Sequence, residues 1–312
     1  MAVDRFTQSF LEELRDGGAA DFHVAGVDAA RALYRNVLAT NGPGPRMHRV
    51  LDDVVRTDDG LAVPVRALVP VPQPLSVVVY LHGGGWVAGS ADDAETIARK
   101  LAERTSSVFV LVDYRLAPEH PHPAAADDAY AAVQWASDRL ADLAGKDVPL
   151  MVAGDDVGAA LAAMTSVRAR DEAGPTIDMQ VLVCPVLDAD VEPAEGPSAP
   201  WSSPDALRWC WTQYVPEGRE QLEPEPFPAR TADLAGLPTT VVALAEHSPA
   251  RAAAEAYARR LEEAGVDVDA QAYQGQVHGF FMVLALPIGE KAFQQVIKAI
   301  RAYCARPAGV HH

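Results

Sequence analysis

One unit recurs along this chain: a short, mostly unbroken apolar run, a glycine or polar break, then a stretch with helical spacing. The runs are LSVVVYLH (75–82), SVFVLVDY (107–114), PLMVAG (149–154), MQVLVCPVLD (179–188) and TTVVALAE (239–246), and a more polar strand, VDAQAYQG (268–275), follows them. A run apolar at nearly every position, rather than at alternate ones, fits a strand buried on both faces, as in a parallel sheet covered by helices. Helical stretches fall between the runs at Ala124–Leu143, Val157–Arg170, Arg251–Ala264 and Glu290–Cys304. Upstream, HRVLDDVVRT (48–57) and LAVPVRALVP (61–70) read as two more strands around a DDG turn. Two amphipathic stretches, Phe6–Leu14 and Val27–Leu38, open the chain, the second with a cap expected at Asp28. The expectation is an α/β fold: a mostly parallel sheet with helices on both faces. With 312 residues, the chain can bury a sizeable core in one large domain.

Charge and cysteine usage narrow the partners. A net charge of −17 argues against nucleic acid and against an anionic membrane surface. No apolar run approaches the ~20 residues of a membrane-spanning helix, and MAVDRFTQSFLEELRDG does not read as a secretion signal. Cys184, Cys210 and Cys304 are odd in number and far apart, so neither a disulfide framework nor a zinc cluster is expected. That usage suits the reducing cytoplasm. No cofactor and no metal are expected. The expected partners are a small-molecule substrate and, as an open choice, a second copy in a homodimer.

Two glycine-rich breaks carry chemistry. In LHGGGWVAGS (81–90), which follows a strand directly, three consecutive glycines permit positive φ and leave N–H groups facing a cleft. Such donors suit a developing oxyanion. VAGDDVGAA (152–160) has the strand, glycine and helix of a nucleophile elbow, G-x-S-x-G, but Asp156 stands at the serine position.

HGGGW (82–86), DYRLAPEHPHPAAADDA (113–129), GDDVG (154–158), CPVLD (184–188) and QVHGF (276–280) together resemble the hormone-sensitive-lipase family of α/β-hydrolases, over nearly the whole chain. The resemblance implies an α/β-hydrolase fold with an eight-stranded sheet and a helical cap. Residues 1–45 would be N-terminal cap helices and 46–306 the core. The Pro-, Glu- and Trp-rich segment at about 189–228 would be a cap insertion, and 307–312 a flexible tail. It further implies that Gly84, Gly85 and the Val157 amide form an oxyanion hole and that His278 is the triad histidine. Two positions depart from the pattern. Asp156 aligns with the family's serine, and Ser248, in SPARAA (248–253), aligns with its triad acid. Asp188 and Glu246 are candidates to replace that acid, whereas Asp155 is acidic in the ordinary motif and reads as structural.

A tetrahedral adduct of Asp156 with an ester would collapse backwards, because a carboxylate leaves more readily than an alkoxide by roughly 11 pK units. Ordinary serine-esterase chemistry is therefore not expected. The expectation is instead an Asp156–His278 pair with Ser248 on the far imidazole nitrogen, working by proton transfer in an elimination, cyclisation or rearrangement of specialised metabolism. The alternatives are epoxide- or halide-displacing chemistry with Asp156 as nucleophile, and an inactive homologue that binds a small ligand. Trp86, Tyr214, Trp211 and Phe280 are expected to line an apolar substrate pocket, with Phe6, Phe10, Trp201, Trp209 and Phe227 as further roof or core. His82, His120 and His122 read as scaffold, and His247 as a loop residue.

Overall fold

A computed structural model describes residues 2–191, 196–215 and 226–306. Its eight strands are β1 (Arg49–Arg56), β2 (Ala62–Val69), β3 (Val77–Leu81), β4 (Val108–Val112), β5 (Leu150–Asp155), β6 (Met179–Val183), β7 (Thr239–His247) and β8 (Val268–Val277). They form one sheet in the order β1-β2-β4-β3-β5-β6-β7-β8. β2 runs antiparallel to both β1 and β4, and every other pairing is parallel. The helices are α1 (Arg5–Asp16), α2 (Phe22–Ala25), α3 (Val27–Ala39), α4 (Ala91–Thr105), α5 (Ala124–Ser137), α6 (Leu140–Ala144), α7 (Val157–Asp171), α8 (Pro204–Tyr214), α9 (Arg251–Glu263) and α10 (Gly289–Cys304). The expected mostly parallel, eight-stranded α/β architecture is present.

β3 to β6 are buried at every position because helices cover both faces. Alternate β3 side chains enter different cores. Val77, Val79 and Leu81 pack with α5, α7 and α9, while Val78 and Tyr80 pack with α3, α4 and α10. Edge strand β1 is exposed along most of its length.

Several boundaries differ from the sequence expectation. α4 is an additional helix whose apolar spacing is faint in the sequence because much of its buried stripe is alanine: Ala91, Ala94, Ala98 and Ala102 accompany Ile97 and Leu101. Its Ser90 cap, with Asp92 and Asp93 in the first turn, was the available signal. α8 is a second additional helix; it starts behind a Ser203 cap with Pro204 in its first turn. The stretch expected as one helix from Ala124 to Leu143 breaks between α5 and α6. MQVLVCPVLD leaves the sheet after Val183, where Cys184 turns to φ 46° and Pro185 lacks an N–H to pair. α3 is capped at Gly26, and Asp28 lies one step inside, in the first turn.

The register places the ends of the central strands side by side: Leu81 of β3 lies opposite Gly154 of β5, and Asp155 opposite Val183 of β6. The glycine turn, the elbow, Ser248 and His278 therefore leave the sheet at one edge, the carboxyl ends of parallel strands, where open α/β sheets form a crevice. Above that edge, Phe22 N–H donates to the Pro200 carbonyl (3.0 Å), and Tyr34 of α3 meets Trp201 edge-on at 6.3 Å. The expected tail at 307–312 lies outside the described residues, as do parts of the expected insertion. Among the described residues, no helix is long and apolar enough to cross a membrane. Among them, too, no cluster of His, Cys, Asp and Glu could hold a metal ion.

Candidate active site

β5 ends in a sharp turn at Asp156, with φ 55° and ψ −121°, and α7 begins at the next residue. That conformation costs a non-glycine residue of order 1–3 kcal/mol and persists only where the surroundings enforce it. Here Asp156 N–H donates to the Val183 carbonyl (2.9 Å), and Val186 N–H donates to the Asp156 carbonyl (3.3 Å). Gly158 lets α7 pass so close to β3 that any side chain there would overlap the Leu81 and His82 carbonyls.

The Asp156 carboxylate, held by this turn, is gripped from two sides. The N–H groups of Gly84 and Gly85 both donate to Oδ2, each at 2.9 Å. They can converge because Gly84 and Gly85 adopt φ 114° and 66°, and a side chain at Gly85 would collide with Cys210 Sγ. On the other side, Oδ1 lies 3.0 Å from His278 Nε2. The chain of contacts continues: His278 Nδ1 lies 2.8 Å from Ser248 Oγ, which also accepts the Ala250 N–H at 3.2 Å. The structure thus brings Asp156, His278, Ser248, Gly84 and Gly85 together, with Val157 opening α7 beside them. His278 is 1% exposed and Asp156 7%, so solvent screens the pair little.

The two adjacent carboxylates titrate in opposite directions. Burial pushes Asp155 up to about 7, with the Asp156 charge adding to the rise and hydrogen bonds from Tyr80 and Gly83 opposing it. Burial also acts to raise Asp156, but the hydrogen bond and charge of His278, with the two glycine N–H groups, outweigh it. They hold Asp156 below the ordinary carboxylate value.

The candidate substitute acids are engaged elsewhere. Asp188 takes a two-point contact from Arg230 (2.7 and 2.9 Å), and Glu246 accepts the Gly275 N–H at 2.7 Å. His82 stacks on Tyr114 at 4.2 Å and buttresses the glycine turn, while His122 Nδ1 lies 3.2 Å from the Tyr214 hydroxyl.

The cavity beside Asp156 and His278 is small, about 10 Å³, and is walled by Tyr34, Val37, Leu38, Trp201, Met282 and Val283. Trp86, Trp211 and Tyr214 lie elsewhere, in a buried aromatic stack: Trp86 lies flat on Tyr214 at 4.3 Å, and Trp211 packs on Phe227 at 4.9 Å. Phe280 is fully buried against Tyr273, and Phe6 is 47% exposed on the surface. Aromatic composition could not separate core from lining, because α3 reaches the site only through tertiary packing. Of the expected aromatics, Trp201 faces the cavity. A larger surface groove, lined by Tyr130, Trp135, Arg139 and Arg168 among others, contains none of the paired groups.

Residues 78–282 match the model of a family described as having the alpha/beta hydrolase fold. The chain belongs to that family. Carboxylesterase NlhH of Mycobacterium tuberculosis is 35% identical to this protein over 96% of the chain and 93% of its own length. An ethyl acetate hydrolase of Pseudomonas putida is 29% identical over 97% of the chain and all of its own. Among solved structures, a hyperthermophilic esterase from the archaeon Pyrobaculum calidifontis superposes with a TM-score of 0.89 at 32% identity, covering 97% of this chain and 99% of that one.

These relatives overturn the expected chemistry. Elimination, cyclisation, rearrangement, displacement at saturated carbon and an inert binding role all presumed that ester hydrolysis had been lost. Full-length relatives named for ester hydrolysis point the other way. The presumption was also too strong physically. A carboxylate's poor behaviour as an acyl carrier bars an acyl intermediate on Asp156, but it does not bar attack by water on a carbonyl held by the same glycine donors.

Proposed function

We propose that this hydrolase cleaves carboxylic esters of small, largely apolar substrates in the cavity between α3 and the elbow. The observation that carries the reading is the convergence of the Gly84 and Gly85 N–H groups on a single carboxylate oxygen at 2.9 Å each. Two fixed donors aimed at one oxygen form an oxyanion hole, and the position of Oδ2 is where an ester carbonyl oxygen would bind. Val157 N–H, at the start of α7, is the third donor in this reading. Asp156 stands at the serine position of the resembling family, so water is the attacking group. The Asp156–His278 pair takes its proton, and the oxyanion is stabilised by the hole. The apolar walls from Val37, Leu38, Met282 and Val283 favour short acyl or alkyl chains. The free cysteines, two of them buried, suit work in a reducing cytoplasm.

The test is hydrolysis of p-nitrophenyl acetate, butyrate and octanoate by the purified protein. Turnover of the short esters, lost in His278→Ala, supports the reading. No hydrolysis above the buffer rate, or hydrolysis untouched by that substitution, overturns it.

A further inference from the structure

We propose that Asp156 is the general base of this reaction and that the substrate arms it: the ester carbonyl takes the Gly84 and Gly85 N–H groups, and the carboxylate oxygen it displaces becomes the proton acceptor for water. The inference rests on the ester-hydrolysis reading and adds a role for each oxygen of one side chain.

The geometry allows only one occupant of the hole at a time. Oδ2 already receives both glycine N–H groups at 2.9 Å, so a carbonyl oxygen can bind there only after Oδ2 has left. Oδ1 is tethered separately to His278 Nε2 at 3.0 Å, so the carboxylate can swing about that contact without leaving the site. Once displaced, Oδ2 faces a cavity walled by Tyr34, Val37, Leu38, Trp201, Met282 and Val283. It has then exchanged two charge-assisted hydrogen bonds for a largely apolar surface. A carboxylate that loses donors while remaining buried binds protons more tightly. The free protein thus stores Asp156 as a weak base, and the bound carbonyl turns it into a stronger one beside the atom that water must attack.

Of the groups around Asp156, His278 is the one that can set a balancing positive charge beside the displaced carboxylate. Titratable groups face Asp156 from every element packed around it: Asp155 on β5, His82 after β3, Tyr34 on α3, Tyr114 after β4, Cys184 after β6, Cys210 on α8 and His278 after β8. Burial raises Tyr34, Tyr114, Cys184 and Cys210 above their ordinary values, so these four stay neutral near pH 7. Asp155, raised to about 7 by burial and by the Asp156 charge, supplies no positive charge in either of its states.

The step balances. The oxygen of water bonds to the ester carbon as the carbonyl π pair moves to the oxygen in the hole, and the proton of water passes to Oδ2. As the tetrahedral intermediate collapses, the carbon–alkoxy bond breaks and the proton on Oδ2 goes to the departing oxygen. The products are the carboxylic acid and the alcohol, with Asp156 returned as carboxylate, free to re-enter the hole once the acid leaves.

The test reads the Asp156 carboxyl directly. Infrared titration between pH 4 and 8 follows the protonated carboxyl band in Asp155→Asn, a background that removes the neighbour's own titration, and the band is assigned by its loss in Asp155→Asn/Asp156→Asn. Each titration is run with and without saturating 2-pentanone, a neutral carbonyl with no ester bond, its saturation followed by tryptophan fluorescence. The expected result is an Asp156 ionised throughout this window in the free protein and titrating within it in the ketone complex, a rise of at least one pH unit. Identical titrations in the two states overturn the proposal. Failure of the ketone to saturate overturns it too, because the carboxylate would then never yield the hole. In steady-state kinetics, the acid limb of kcat should lie at least one unit above that of kcat/KM. The two readings fail separately. A ketone-induced shift without ester turnover sinks the proposed reaction alone, and ester turnover without a shift sinks the arming step alone.

Discussion

Asp155 and Asp156 share a peptide bond, both are buried, and the fold treats them oppositely. Asp155, the last residue of β5, turns its Oδ1 towards the hydroxyl of Tyr80 (2.8 Å) and the N–H of Gly83 (3.1 Å), and titrates at about 7. Asp156, at the tip of the turn, meets two N–H groups on one oxygen and an imidazole on the other, and is held below the usual carboxylate value. Burial alone would raise both. The difference lies in how many donors, and which charges, reach each carboxylate. Asp155 behaves as a strut that tolerates a proton. Asp156 behaves as a charge the site is built to keep.

The sharpest way to break this contrast is to remove the Asp156 charge while keeping its shape. Asp156→Asn should reduce kcat/KM for p-nitrophenyl butyrate by about 10²–10⁴-fold, the range of a general base. Asp155→Asn, which can keep both acceptor contacts on one oxygen, should leave a much larger share of the activity. Equal losses in the two variants would erase the distinction.

The next effect is on stability. For Asp155 the folded-state value, about 7, lies above the value of an unfolded aspartate, so the folded protein holds the proton more tightly. Stability from this group is fully present below about pH 4 and is lost as pH rises through 7, a change of about 4 kcal/mol at most. Asp155→Asn should therefore gain stability relative to the unsubstituted protein between pH 5 and pH 8 in urea unfolding. A difference that does not vary with pH would show that Asp155 is not the proton holder.

The contrast also separates what could be read in the sequence from what could not. The central strands were legible because β3, β4 and β6 are apolar nearly throughout, the local signature of burial on both faces. The elbow was legible because Gly154, Gly158 and an apolar strand must lie close together in sequence to make it. The contact between Oδ2 and the glycine turn was not, because it depends on β3 and β5 being neighbours in register. The cavity walls on α3 escaped for a similar reason: Tyr34, Val37 and Leu38 have the spacing of any buried helix face, and only tertiary packing sets them over Asp156. Trp86, Trp211 and Tyr214 pack together, and their sequence gives no sign of it, because large aromatic side chains suit a core stack as well as a pocket wall.

A smaller effect tests the strut from its other end. Tyr80→Phe removes the hydroxyl that donates to Asp155 at 2.8 Å. That bond favours the charged carboxylate, so its loss should move the Asp155 titration above 7. The cost should be about 2 kcal/mol above pH 8, where a charged acceptor loses its donor, and about 1 kcal/mol at pH 5, where a neutral one does. Urea unfolding at the two values measures it, and a pH-independent cost would mean that the tyrosine contributes packing alone.

The smallest effect should come from the far end of the Asp156 chain. Ser248 touches neither cavity nor hole; it meets His278 Nδ1 at 2.8 Å and is itself fixed by the Ala250 N–H. Its hydroxyl can donate to a neutral imidazole or accept from a charged one, so it can hold the ring in place in either state. Ser248→Ala leaves the ring oriented only by its contact with Asp156. The expected loss is about tenfold in kcat, or about 1.4 kcal/mol of barrier, with KM little changed because no wall of the cavity moves. Ser248→Thr, which keeps the hydroxyl, should recover most of the loss. If alanine and threonine behave alike, the hydroxyl does not position the imidazole, and the grip on Asp156 is complete without it.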